Sequence, residues 1–210
     1  MENKQKILII GGGAREHAIG WKIKQSPMCG DLYFAPGNGG TTEIGINVDI
    51  KATDIKALLE FVKREKVDLT LAIPDDPLAL GIVDEFQREG LKIFGPTKKA
   101  AQLESSKAFA KDFMTRHNLP TAKFRVCTDF NEAVAYISMQ KLPIVIKASG
   151  LALGKGVIIA QTQEEAEKAL EDIMVKKIFG ESGNEVVIEE FLTGLEISTH
   201  AFSDGKSYSV

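Results

Sequence analysis

The sequence has little of what marks several common protein classes. Its two cysteines, Cys29 and Cys127, stand far apart with no CxxC or Cys/His cluster. That excludes a disulfide framework and a zinc ribbon and suits a reducing compartment. A basic run interleaved with aromatics is missing: 26 Lys and Arg face 29 Asp and Glu, with the signs interspersed and a net charge of −3. This balance offers no attraction to nucleic acid or to an anionic membrane, so an anionic ligand must be held by a few placed donors. No stretch approaches the ~20 apolar residues that span a bilayer. The apolar run at 7–10 is too brief for a secretory leader, and a cytoplasmic chain is expected. Internal repeats and low-complexity segments are also lacking. What remains, 44% apolar and 26% charged residues in a chain of 210, is the composition of a globular protein with one large or two small domains.

The first hundred residues alternate between short apolar runs and amphipathic stretches. Strands are predicted at 7–10, 32–35, 69–73 and 92–94, with helices at 15–25, 53–66 and 77–89 between them. Such alternation predicts βαβ units and a parallel sheet, with ligands at the carboxyl ends of its strands. Gly95-Pro96 punctuates the chain, and one long helix is predicted over 98–117, closing before Pro120. After it come strands at 124–126, 143–147, 156–160 and 186–190 and helices at 131–138 and 163–174, a small α+β unit. Strands at 197–202 and 207–210, joined at Asp204-Gly205, complete the pattern.

Three loops on the rim of the first sheet carry candidate chemistry. Gly11-Gly12-Gly13-Ala14 separates a strand from a helix, where glycines let backbone approach an anion and the free N–H groups of the helix complete a cradle. The dinucleotide fingerprint needs a glycine where Glu16 stands, and Asp31 precedes the second strand instead of ending it. A phosphate or phosphosugar site, or a turn required by packing alone, are the remaining readings. Ala35-Pro36-Gly37-Asn38-Gly39-Gly40-Thr41 follows the second strand and reaches the same rim. Asp75-Asp76 adds carboxylates suited to an amine or a sugar hydroxyl, or to a solvated turn.

In the second half, Lys147 ends an apolar strand and leads into Ala148-Ser149-Gly150-Leu151-Ala152-Leu153-Gly154-Lys155-Gly156. This is no P-loop, because three residues separate Gly150 from Gly154 and a strand follows instead of a helix. A glycine-flanked loop with a lysine can still close over nucleotide phosphates. Downstream, Glu189 and Glu196 stand at the end of another apolar strand, placed to meet the base and the ribose of a nucleotide, or to be solvated as strand ends often are.

Seven segments then share one pattern. They are Gly12-Gly13-Ala14-Arg15-Glu16-His17-Ala18, Ala35-Pro36-Gly37-Asn38, Gly95-Pro96, Ser106-Lys107-Ala108-Phe109-Ala110-Lys111, the 147–157 loop, Glu189-Glu190-Phe191-Leu192 and Asp204-Gly205. In order and spacing they resemble the phosphoribosylamine–glycine ligase family of ATP-grasp enzymes, and the likeness runs over the whole chain. It implies an α/β fold: a Rossmann-like, pre-ATP-grasp parallel-sheet domain at 1–101 and a partial ATP-grasp domain at 102–210. The implied reaction joins glycine to 5-phosphoribosylamine through a glycyl phosphate, releasing ADP and phosphate, in purine synthesis. By the resemblance, Lys107, Lys147 and Lys155 are nucleotide-phosphate lysines, the last two the catalytic candidates, with Gly154 and Gly156 in the closing loop. Glu189, Glu190 and Leu192 form the adenine hinge and Glu196 the ribose contact. The substrate side comprises Gly11, Gly12, Gly13, Arg15, Glu16, Gly37, Asn38 and Asp75.

The implied cofactor is ATP with Mg²⁺ or Mn²⁺, whose metal ligands are expected in a C-terminal half that this chain does not contain. Implied partners are the small-molecule substrates, with self-association or the missing half as a further expectation. Two positions depart from the family's pattern: Ile73-Pro74-Asp75-Asp76-Pro77 replaces Gly-Pro-Glu-Ala-Pro, and Ser149 replaces Asp. Both bear on substrate contacts. Because family members are much longer, the chain alone is expected to turn over slowly or not at all. The rival readings are another ATP-grasp ligase or carboxylase, a nucleotide-binding remnant without catalysis, and an NAD(P)-dependent oxidoreductase.

Overall fold

The computed structural model describes residues 4–152 and 155–210. Its first part runs β1 (Gln5–Gly11), α1 (Ala14–Lys24), β2 (Cys29–Pro36), β3 (Ile46–Asn47), α2 (Ile55–Glu65), β4 (Leu69–Ala72), α3 (Asp75–Leu80), α4 (Ile82–Arg88) and β5 (Ile93–Phe94). All five strands are parallel, in the order β3-β2-β1-β4-β5. β1 is buried on both faces, as its continuous apolar run requires. Leu8 and Ile10 pack with Leu58, Phe61 and Val62 of α2 and Ile82, Val83 and Phe86 of α4. Ile7 and Ile9 pack on the opposite side with Leu32, Phe34 and Ile19 and Ile23 of α1. Asp54 caps α2, its carboxylate accepting the Ala57 N–H at 3.1 Å.

The second part runs α5 (Lys98–Ser105), α6 (Lys107–Arg116), β6 (Phe124–Cys127), α7 (Phe130–Ile137), β7 (Ile144–Ala148), β8 (Val157–Ala160), α8 (Gln163–Leu170) and β9 (Val186–Glu190). Its four strands form an antiparallel sheet in the order β6-β9-β7-β8. Ile144, Ile146 and Ile188 turn to one face and pack against Ala133 and Ile137 of α7 and Ala166 and Leu170 of α8. The other face presents Phe124, Val145, Lys147 and Glu189, since residues opposite one another in an antiparallel ladder share a face. A short hairpin, β10 (Phe202–Ser203) and β11 (Tyr208–Ser209), lies near the first sheet, with the Phe202 ring 6.3 Å from that of Phe94. Among the described residues no helix is long and apolar enough to cross a membrane.

Several predicted elements are altered. The helix expected over 77–89 begins earlier and divides at Gly81, whose φ of +95° belongs to the left-handed region. The helix expected over 98–117 divides at Ser106, which is extended (φ −137°, ψ 107°). The helix expected over 163–174 is regular to Leu170 and widens into a π turn at Glu171–Val175. Of the strands expected at 197–202 and 207–210, only the two-residue β10 and β11 form. β3 had no sequence signal of its own; two residues of edge pairing are too few to set a period.

Candidate functional site

The rim of the first sheet is built by two glycine loops locked together. β1 ends at Gly11, whose φ of +120° and surroundings exclude a side chain. At Gly12 an added Cβ would lie 2.5 Å from the Gly37 carbonyl oxygen, so the loops meet backbone to backbone. Gly37 N–H donates to the Gly11 carbonyl at 3.1 Å. The Asn38 amide donates to the carbonyls of Gly12 and Gly13 at 2.9 and 3.3 Å, and its oxygen accepts from Gly40 and Thr41 N–H. Glu16 is 3% exposed, and its carboxylate accepts the Gly13 N–H at 2.5 Å. Both polar side chains expected to face a ligand therefore hold the rim in shape, and Gly13 N–H already has an acceptor. Arg15 is exposed at the mouth of this rim.

Between rim and second sheet lies a cavity of about 460 Å³. Arg15, Asp75 and Asp76 line one side; Lys107 and Gly156 line the other. The structure thus brings together substrate-side and nucleotide-side candidates separated by up to 141 residues in the chain (Arg15 to Gly156). Asp75 and Asp76 occupy the first turn of α3, which faces the cavity end-on.

Lys107 owes its position to the division of the long helix. Ser106 closes α5 and opens α6, its hydroxyl accepting the Phe109 N–H at 3.2 Å. Ser149, buried just after β7, accepts the Lys107 N–H on its carbonyl at 2.7 Å and the Ala108 N–H on its hydroxyl at 3.1 Å. The Lys107 ammonium donates to the Gly150 carbonyl at 3.1 Å. Burial pushes its pKa below the ordinary lysine value; Glu104 and Glu189 oppose that shift and Lys147 adds to it.

Behind Lys107 stands a cluster that centres on Glu189. Lys147 Nζ lies 3.0 Å from both carboxylate oxygens, its aligned hydrogen bond going to Oε2. Lys111 Nζ lies 3.1 Å from Oε2 and donates to Thr121 Oγ1 at 2.7 Å. Lys111 and Lys147 on Glu189, with Lys107 beside them and Glu104 opposing it, leave one more positive than negative charge in a partly desolvated place, which suits an anion. Lys111 and Thr121 were not singled out from the sequence. The available signal was the Lys107/Lys111 spacing, since residues four apart share one helix face.

The remaining candidates sit elsewhere. Glu190 is exposed; its carboxylate accepts the Lys123 N–H at 2.8 Å, extending the β6–β9 ladder. Leu192 (64% exposed) and Glu196 lie in the irregular, exposed segment 191–201, where the Glu196 carboxylate has no protein partner among the described residues. Lys155 is exposed and does not line the cavity, while Gly154 falls outside the described residues. Among the described residues no three His, Cys, Asp or Glu side chains converge to hold a metal ion.

Two family descriptions cover nearly the whole chain: "Phosphoribosylglycinamide synthetase, N domain" matches residues 5–104 and "Phosphoribosylglycinamide synthetase, ATP-grasp (A) domain" matches residues 105–210. The phosphoribosylamine–glycine ligase of Yersinia pestis is 54% identical over 203 residues, covering 96% of this chain and 47% of that protein. The Escherichia coli K12 ligase is 53% identical with the same coverage. The solved structure of the Thermotoga maritima phosphoribosylamine–glycine ligase superposes with a TM-score of 0.79 at 33% identity, over 97% of this chain and 48% of that one. N5-carboxyaminoimidazole ribonucleotide synthetase of the same organism shares the fold, with a TM-score of 0.65 at 21% identity over 89% of this chain and 46% of that one. The chain spans about half the length of the curated relatives it matches. With both family domains matched end to end and the rim, cavity and lysine cluster falling inside them, the chain belongs to the phosphoribosylglycinamide synthetase family, that of the phosphoribosylamine–glycine ligases.

Proposed function

We propose that this chain supplies the phosphosugar side and one wall of the ATP side of a ligase that joins glycine to 5-phosphoribosylamine. The observation that carries this reading is Lys107, which lines a cavity together with Arg15 and Asp75 and stands beside the Lys147–Lys111 pair on Glu189. In the reaction a glycine carboxylate oxygen attacks the γ-phosphorus of ATP and ADP leaves. The amine of phosphoribosylamine then attacks the carbonyl of the glycyl phosphate, and inorganic phosphate leaves. Phosphoryl transfer of this kind depends on positioning and on cations that offset charge on the phosphate oxygens. Lys107 and Lys147 serve that need, with Lys155 a third donor once its loop closes. Arg15 and the remaining free N–H groups of the rim suit the sugar phosphate, and Asp75 suits an amine.

Among the described residues no group of three His, Cys, Asp or Glu converges, and this wall offers a phosphate its ammonium groups. Glu189, with one buried oxygen lacking a hydrogen bond, supports a nucleotide contact better than the exposed Glu190, Leu192 and Glu196 do. The substrates are small molecules, and a cytoplasmic setting fits them. We place the domain limits at 1–101 and 102–210, between the last strand of the first sheet and the first strand of the second, with the limit itself inside α5. The test is calorimetric ATP binding, together with ADP release in the presence and absence of glycine and freshly made phosphoribosylamine. Saturable ATP binding lost in Lys107→Ala and Lys147→Ala supports the reading. A folded chain that binds no nucleotide overturns it. Binding without turnover favours a nucleotide-binding role for this chain by itself.

A further inference from the structure

Building on the ATP-site reading above, we infer that Lys111 is a positioning residue: it holds Glu189 permanently, so that Lys147 can exchange its bond to that carboxylate for one to a nucleotide phosphate. The two lysines share one acceptor but not one environment. The Lys111 and Glu189 side chains are 8% and 7% exposed, against 26% for Lys147. Lys111 Nζ is enclosed by Glu189 Oε2 at 3.1 Å, by Thr121 Oγ1, to which it donates at 2.7 Å, and by the Phe124 ring, whose centroid lies 5.3 Å away. So enclosed, Lys111 stays beside Glu189 and does not reach out to a ligand.

Lys147 is the more exposed of the two. It donates an aligned hydrogen bond to Oε2 at 3.0 Å and lies 3.0 Å from Oε1, which is buried without an aligned hydrogen bond. Its neighbour across the site is the Lys107 ammonium, which repels it. A phosphate entering beside Lys107 offers Lys147 a competing anion. A buried carboxylate abandoned by its only cation is strongly disfavoured. With Lys111 fixed, Glu189 keeps a counter-charge when Lys147 turns away, and the exchange becomes nearly neutral in charge pairing. Without Lys111, every phosphate that Lys147 reaches for must first strip Glu189 bare.

The test compares ATP with adenosine on the full chain, by calorimetry or by displacement of a fluorescent nucleotide. Lys111→Met is expected to weaken ATP at least tenfold while leaving adenosine within twofold; Lys111→Arg is expected to restore ATP to within threefold. On a Lys147→Gln background, which already lacks the phosphate-specific affinity, Lys111→Met is expected to cost nothing further. Equal losses for ATP and adenosine, or a full additional loss on the Lys147→Gln background, would mean that Lys111 acts only by stabilising the fold and would overturn the inference. Should Lys111→Met fail to fold, Thr121→Val, which loosens Lys111 without removing it, must reproduce a smaller ATP-selective loss, and a uniform one overturns the inference. A wild-type chain that binds neither ATP nor inorganic triphosphate removes the site reading and the inference together; one that binds both while Lys111→Met leaves ATP untouched removes only the inference.

Discussion

Ser149 holds Lys107 twice over, its carbonyl accepting the Lys107 N–H at 2.7 Å and its hydroxyl accepting the next N–H at 3.1 Å. A residue at the end of β7 thereby sets where the first lysine of α6 stands relative to Lys147, two residues earlier on the same strand. The placement of Lys107 relative to Lys147 is thus set by one buried residue.

Ser149→Ala removes the hydroxyl and leaves the carbonyl bond. Loss of a helix cap of this kind costs about 1 kcal/mol, to be read as a lowered thermal midpoint by circular dichroism. ATP affinity is expected to fall as well, because α6 gains freedom at the end that carries Lys107. An unchanged nucleotide affinity with the lowered midpoint would separate the cap from the site.

Gly12→Ala tests the contact between the rim loops. The new Cβ would meet the Gly37 carbonyl oxygen at 2.5 Å, so one loop must move. Forced shifts of packed backbone cost about 1–3 kcal/mol. The expected outcome is a lower melting temperature and weakened phosphoribosylamine-dependent turnover, with ATP binding nearly intact. Loss of ATP binding in parallel would mean that the rim is not a separate substrate side.

Asn38→Ala removes the side chain that joins the same loops without introducing a clash. The carbonyls of Gly12 and Gly13 and the N–H groups of Gly40 and Thr41 lose their partner, at a cost of about 1–3 kcal/mol. Hydrogen exchange at residues 37–41 is expected to accelerate, while exchange at β7 and β9 stays unchanged.

The lowered pKa of Lys107 has a defined pH signature. Burial is its main cause, so the folded state surrenders this proton before the unfolded chain does. Titration of Lys107 therefore favours folding as pH rises through the folded pKa toward the ordinary value of 10.5, while binding of phosphate, which needs the charged form, declines over the same interval. ATP affinity is expected to fall at lower pH than an ordinary lysine would predict, and Lys107→Arg is expected to delay the fall. An ATP affinity flat up to the usual lysine range in the wild-type chain would remove Lys107 from the phosphate contacts.

The two-sheet plan was legible because apolar period and glycine placement act locally. The continuous run of β1 and the alternation Ile144, Ile146, Ala148 need no knowledge of their neighbours. The break at Gly81 turns on its own left-handed backbone, which a lone glycine does not announce, and the break at Ser106 is supported by bonds from Ser149 that local sequence does not show. In the site, lysine identity was visible and lysine partnership was not. Pairing Lys111 with Glu189 requires two elements 78 residues apart to meet. Glu16 and Asn38 are placed on the substrate side by the family resemblance alone; their hydrogen bonds to the Gly12–Gly13 backbone depend on loop geometry that spacing does not encode.

A single extended residue, Ser106, joins α5, which packs on α3, to α6, which packs on β9. The wall bearing Asp75 and the wall bearing Lys107 are thus joined in the chain through one extended residue, with α5 and α6 also packed on each other. The gap between the Asp75 carboxylate and the Lys107 ammonium across the cavity depends on the backbone at this joint. Reach across the cavity can therefore change through the Ser106 and Ser149 hydroxyls at this joint, leaving Asp75 and Lys107 themselves as they are.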